Sequence, residues 1–185
     1  MGIISVIIIF ICICVDNMVS ANMSAVKMTK ENKSIFSVKM AIVFTIFNVL
    51  LFGLGYILSI IFFRRWVYFA HNWVAFAFLL LLGIKLMLES IEKSPSFGDV
   101  DAGDNWKLAK VSAVIGLNSL LVGYAMETMD VTFFPEVVLL LIITFVMSLL
   151  GSHLGGEQIK NLFSKKLELV AGIVLIIMGI RLIMI

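Results

Sequence analysis

The chain has 185 residues, of which 62% are hydrophobic and 14% charged, and its mean hydropathy is +1.13. No soluble domain of this length can hide so much apolar surface from water, so the composition assigns the chain to the integral membrane proteins. The net charge of +2 is too small to argue for a nucleic-acid partner, and the basic residues fall in short segments between apolar runs, where they act as topology signals.

A helix needs about 20 mostly apolar residues to cross the hydrocarbon layer, and six stretches predict such helices: 3–25, 38–60, 70–90, 109–127, 136–152 and 167–185. The first opens on an apolar run, Ile3 to Phe10, and continues through CVDNMVSANM (14–23), which carries Asp16, Asn17, Ser20 and Asn22 into the span. No Lys or Arg precedes that run, so it lacks the basic region of a secretory leader and reads as a span. Cys12 and Cys14 lie two residues apart within it, too close for an ordinary disulfide. The second span carries Asn48 near its centre and the glycines of FGLG (52–55). The third ends in LLGIKLMLES with Lys85 and Glu89, the fourth holds Asn118 in GLNSLLVG, and the fifth holds Thr144, Ser148 and GSHLG (151–155). The sixth carries Arg181 in IMGIRLIM. Lys85 and Arg181 read as side chains that snorkel to the headgroups, and the glycines as points of close helix packing. Between spans three and four, SFGDVDAGDN brings Asp99, Asp101 and Asp104 together. Gly103 and Lys110 stand where a calcium loop needs ligands, so the segment reads as a solvated loop. His71 and His153 have no second ligand at metal-binding spacing.

The first, third and fifth loops carry Lys27, Lys30, Lys33 and Lys39, then Lys93, Lys107 and Lys110, then Lys160, Lys165 and Lys166. The second has Arg64 and Arg65, and the fourth, around ETMDVTFFPE, has no basic residue. Ten against two places the odd loops in the cytoplasm and both termini outside, in a multi-pass cell-membrane protein. The chain also repeats itself: LLGIKLML (81–88) is echoed by IMGIRLIM (177–184), and VDNMVS (15–20) by LNSLLV (117–122), at separations of 96 and 102 residues. The expected organisation is all-α: a first three-helix repeat over 1–90, a cytoplasmic linker over 91–107 and a second, inverted repeat over 108–185.

Asp16, Asn48 and Asn118 fall near the centres of spans one, two and four. A carboxylate at mid-bilayer costs about 2.5–3.5 kcal/mol on insertion scales, so Asp16 should face the bundle interior. Positions four apart share a helix face, which aligns Cys12, Asp16 and Ser20, and Thr144 with Ser148. Carboxylate, amide and hydroxyl oxygens suit a hard divalent cation such as Mn²⁺, and a carboxyl group at Asp16 that holds either a cation or a proton would permit exchange between them. The alternative for the same residues is interhelical hydrogen bonding in a non-transporting scaffold. Within the transporter class, an amino-acid-like solute stays open as a substrate, although no deep basic residue is evident to receive its carboxylate. An enzyme is not indicated, since the sequence has no G-x-S-x-G, no H-E-x-x-H and no deep acid pair. Nor is a resident cofactor.

HNWVAFAFLLLLGIKLMLES and MSLLGSHLGGEQIKNLFSKKLELVAGIVLIIMGIRL, with Asp16 in the first span, resemble the MntP family of manganese exporters, related to the LysE-type exporters. The resemblance implies export of Mn²⁺ from the cytoplasm through acidic residues of spans one, two and four. At the matching positions this sequence keeps Asp16, has Asn48 and Asn118 where the family is acidic, and has Asn17 where the family has alanine. The implied site then holds one formal negative charge instead of three, with a weaker hold on a divalent ion.

Overall fold

The computed structural model describes residues 3–26, 33–66, 71–91, 104–128, 132–154 and 162–183, and among these it is helical throughout with no strand. The helices are α1 (Ile3–Ile13), α2 (Val15–Val26), α3 (Lys33–Trp66), α4 (His71–Ile91), α5 (Asn105–Thr128), α6 (Phe133–His153) and α7 (Leu162–Ile183). α1 and α2 form one rod interrupted at Cys14, whose N–H still bonds Phe10 O and whose carbonyl still accepts from Met18 N–H, both at 3.1 Å. Each expected span has its helix, but α5 begins at Asn105, earlier than hydropathy indicates. The reason is a cap: Asp104 Oδ1 accepts from the N–H groups of Trp106 (3.0 Å) and Lys107 (3.4 Å), the pattern that satisfies orphan donors at a helix start. Asp104 is thus a helix cap, while Asp99 and Asp101 lie outside the described residues.

Among the described residues five stretches are long and apolar enough to cross a membrane: Ile3–Ala25, Ser34–Ile61, Trp73–Ile91, Asn105–Glu127 and Phe133–His153. Over its described residues α7, with Lys165, Lys166, Glu168 and Arg181 towards its ends, does not join them; its expected span runs on through residues 184–185, which are not described. The apolar surface is arranged for lipid. Ile42, Ile46, Leu50, Leu54, Ile57 and Ile61 form an exposed stripe along α3, and Val170, Ile173, Ile177 and Ile180 another along α7. The first span is the inverse, with 72% of it buried against 22–50% in the other four. It is therefore the central helix, and its polar residues face protein rather than lipid.

Packing follows the small residues. α3 lies along α5 and α4 along α7, while the rod of α1 and α2 sits against α6 and α7. At the α3–α5 contact a methyl group added to Gly55 would overlap Leu120 O, and one added to Gly123 would overlap Phe52 O. At the α2–α6 contact Gly151 meets Met18 O in the same way, and in the α4–α7 pair a methyl on Gly172 would lie 2.6 Å from Gly83 O. Glycine there lets backbones approach as no other residue does. Lys39 Nζ donates to Asn105 Oδ1 (2.5 Å) at the starts of α3 and α5, and Ser59 Oγ to Glu127 Oε2 (2.7 Å) near their ends, so these two helices run parallel. Around Phe10, which meets Phe52 edge-on at 5.7 Å, the core fills with Ile9, Ile13, Leu79, Leu82 and Leu140.

Candidate cation site

Helical geometry turns successive residues by about 100°, so the polar dipeptides Asp16-Asn17 and Asn118-Ser119 each present groups to two neighbours. Asp16 and Asn118 meet each other: Asn118 Nδ2 donates to Asp16 Oδ2 at 2.5 Å. The adjacent pair serves α3, where Asn48 Nδ2 donates to Asn17 Oδ1 (3.1 Å) and to Phe44 O of its own helix (2.8 Å), and Asn48 Oδ1 accepts from Ser119 Oγ. Asp16, Asn17, Asn48, Asn118 and Ser119 are all buried. The structure thus brings together Asp16, Asn118 and, through Asn17 and Ser119, Asn48. Ser148 is buried but its hydroxyl donates to Thr144 O (2.8 Å), and Thr144 Oγ1 contacts Cys14 Sγ at 3.2 Å. Ser20 is buried one turn beyond Asp16, and its carbonyl accepts from Ser24 Oγ at 2.9 Å. The cysteines are free, buried thiols.

Lys85 is the residue that sequence reasoning misassigned. It does not snorkel outward: its Nζ lies 3.4 Å from Asp16 Oδ2, 2.9 Å from Asn118 Oδ1 and 3.5 Å from Glu89 Oε1. A deep basic group is therefore present. The cause is the direction of helical side chains, which lean towards the helix N-terminus. For Lys85, six residues before Ile91 at the end of α4, that lean points towards mid-bilayer. The available signal was the spacing of Lys85 and Glu89, four apart on one face inside an apolar span. Arg181, at the matching repeat position, is exposed. On α7, Glu168 is buried and within electrostatic reach of Asp16, Glu89 and Lys85.

The cluster is not a closed, satisfied network. Asp16 Oδ1, Asn17 Nδ2 and Asn22 Oδ1 are buried with no hydrogen-bond partner, where native interiors seldom leave such groups. Among the described residues no three His, Cys, Asp or Glu side chains stand together as a ready metal site; the carboxylates of Asp16 and Glu89 are joined through the Lys85 ammonium. A separate cavity of about 310 Å³ opens between the starts of α1 and α6, lined by Ile3, Val6, Pro135, Glu136 and Leu139 among others. Both carboxyl oxygens of Glu136 are buried there without a partner. Asn48 links three helices, so Asn48→Ala is expected to lower stability by about 1–3 kcal/mol through the polar groups it strands, read as a lowered midpoint of thermal unfolding in detergent.

A helical bundle that turns its apolar stripes to lipid and seals a carboxylate and a belt of amides at its centre, beside a part-exposed ammonium, is a multi-pass membrane protein with an intramembrane ionisable centre. Residues 29–183 match the family described as "Putative manganese efflux pump". The chain belongs to that family. The matched residues include Asn48, Lys85 and Asn118 and begin after Asp16. Relatives bearing the same description, with the name MntP, include one from Crocosphaera subtropica, 27% identical over 150 residues that cover 81% of this chain and 77% of the relative. Another, from Rippkaea orientalis, is 27% identical over 156 residues covering 84% and 81%, and one from Acetivibrio thermocellus is 29% identical over 136 residues covering 73% and 67%. No solved structure matches the chain.

Proposed function

We propose that this chain is a secondary transporter that exports Mn²⁺ from the cytoplasm, with Asp16 as its charged ligand and the amide oxygens of Asn48 and Asn118 as neutral ones. Ser20 and Ser148 supply further oxygens once a cation enters. The observation that carries the reading is the state of Asp16: a carboxylate sealed in the central helix, with one oxygen engaged by Asn118 and Lys85 and the other without a partner. A scaffold bond has no use for that unpartnered oxygen; a hard cation does. The family's description supplies the metal and the direction.

The architecture in this proposal is six spans in two inverted repeats, 1–90 and 108–185, flanking the linker 91–107. Its support is a correspondence of contacts. Exchanging α3 with α6, α4 with α7, and the α1–α2 rod with α5 turns the contact of Gly55 with Leu120 O into that of Gly151 with Met18 O. The shifts, 96 and 102 residues, are those of the sequence repeat. The lysine-rich odd loops put both termini outside the cell membrane, and the proton gradient drives export through exchange of the cation with a proton at Asp16.

The test is manganese sensitivity in a host stripped of its own exporters. Expression of the chain is expected to restore growth, and Asn118→Asp, which places a second carboxylate directly beside Asp16, to raise the tolerated Mn²⁺ about tenfold, the effect of roughly 1.4 kcal/mol of added attraction. No protection from any divalent ion would overturn the proposal. In inverted vesicles, Mn²⁺ uptake indifferent to an imposed pH gradient would remove the proton from the mechanism. A second reading, export of an amino-acid-like zwitterion, is favoured by Lys85 beside Asp16, since the pair complements a carboxylate and an amine; uptake of amino acid in place of Mn²⁺ by the same vesicles would select it.

A further inference from the structure

We infer that Lys85 is the tethered counter-ion of this site: its ammonium occupies the place a transported cation must take, and so selects ions by valence and drives their release. The inference rests on the cation reading of Asp16. Three of the contacts of Lys85 Nζ, with a carboxylate oxygen of Asp16, the amide oxygen of Asn118 and a carboxylate oxygen of Glu89, are to the oxygen types a hard cation seeks. The mobile partner is the lysine, whose side chain is 35% exposed where that of Asp16 is 1%. Glu89, one turn along α4, gives the ammonium an acceptor to retire to without leaving the helix face.

The consequences follow from charge and tethering. Two cations on one carboxylate group in a poorly screened interior repel, so a metal ion at Asp16 requires Lys85 to withdraw. A tethered group competes at a high effective concentration. K⁺ and Na⁺, with the same charge as the ammonium, gain nothing by displacing it, whereas a divalent ion gains the attraction of its second charge. When the site turns to the other side of the membrane, return of Lys85 to Asp16 displaces the metal. Lys85 thus trades affinity for turnover. If it fills the site about 90–99% of the time, apparent affinity is lowered about 10–100-fold.

The experiment measures Mn²⁺ binding to the purified full chain by the paramagnetic resonance signal of free Mn²⁺, in choline chloride and in KCl of equal ionic strength, with transport by the same variants in inverted vesicles. Wild type is expected to bind equally in both salts. Lys85→Met is expected to bind about 10–100-fold tighter, to lose affinity when KCl replaces choline, and to transport more slowly at saturating Mn²⁺; Lys85→Arg is expected to restore wild-type affinity. Tighter binding is not an outcome of misfolding, so a merely structural lysine would not yield it. Unchanged or weaker binding in Lys85→Met while Asp16→Asn abolishes binding would overturn the counter-ion and leave the cation site standing, as would tighter binding in Lys85→Arg. Failure of wild type to bind Mn²⁺, with Asp16→Asn without effect, would overturn both.

Discussion

Asp16→Asn is expected to leave a manganese-sensitive host as unprotected as one without the protein. The substitution keeps the size of the side chain and its place beside Asn118, but removes the charge. Stripping a buried cation of its charge partner costs about 3–5 kcal/mol, or roughly two to three and a half powers of ten in binding. The fold should survive. Lys85 retains Glu89 at 3.5 Å and is part-exposed, so its ammonium can stay solvated when Asp16 is neutralised. Growth under Mn²⁺, with the amount of protein in the membrane measured alongside, separates the two effects; near-normal resistance from Asp16→Asn would take the carboxylate out of the transport path.

The largest structural effect is expected at Gly151 and its counterpart Gly55. A methyl group at either would overlap a backbone carbonyl, of Met18 and Leu120 respectively, and backbone cannot rotate aside as a side chain can. Overpacking of this kind costs about 3 kcal/mol, a fall of roughly 6–12 °C in melting temperature for a chain of this size. Gly53 is the control: its added methyl would sit 3.8 Å from Phe133 Cζ, an ordinary contact, so Gly53→Ala should be neutral or slightly stabilising through helix propensity. Equal melting temperatures for Gly151→Ala and Gly53→Ala would mean that the close crossing of α2 and α6 does not hold the bundle. Because Met18 lies two residues from Asp16, Gly151→Ala should also weaken export in whatever protein remains folded.

Much of this arrangement is legible in the sequence. Five of the six expected spans are, because apolar length is what a bilayer demands, and so is the meeting of Asp16 with Asn118, because two polar side chains at one depth have few partners but each other. The repeat VDNMVS and LNSLLV even marks the second pair of positions, Asn17 and Ser119, that clasp Asn48. What sequence position conceals is reach. Lys85 belongs by its Cα to the outer part of the span and by its ammonium to the centre, and only the lean of the side chain along α4 decides between them. Asp104 is a similar case: three nearby aspartates read as a solvated loop, whereas the carboxylate of Asp104 is spent on the first turn of α5. Composition reports charge and periodicity reports faces, but neither states which of several acceptors a long or terminal side chain will choose.

α3 carries a last consequence. Its 34 residues make a rod about 51 Å long, and its apolar stretch of 28 residues, Ser34–Ile61, alone measures about 42 Å against a hydrocarbon layer of about 30 Å. Such a rod is accommodated by tilting or by drawing the surrounding acyl chains up to meet it. Since α5 runs parallel with α3, any change of lean is passed to the helix that bears Asn118. Lipid chain length is therefore expected to bear on the spacing of the polar centre, and a thin bilayer to do so most.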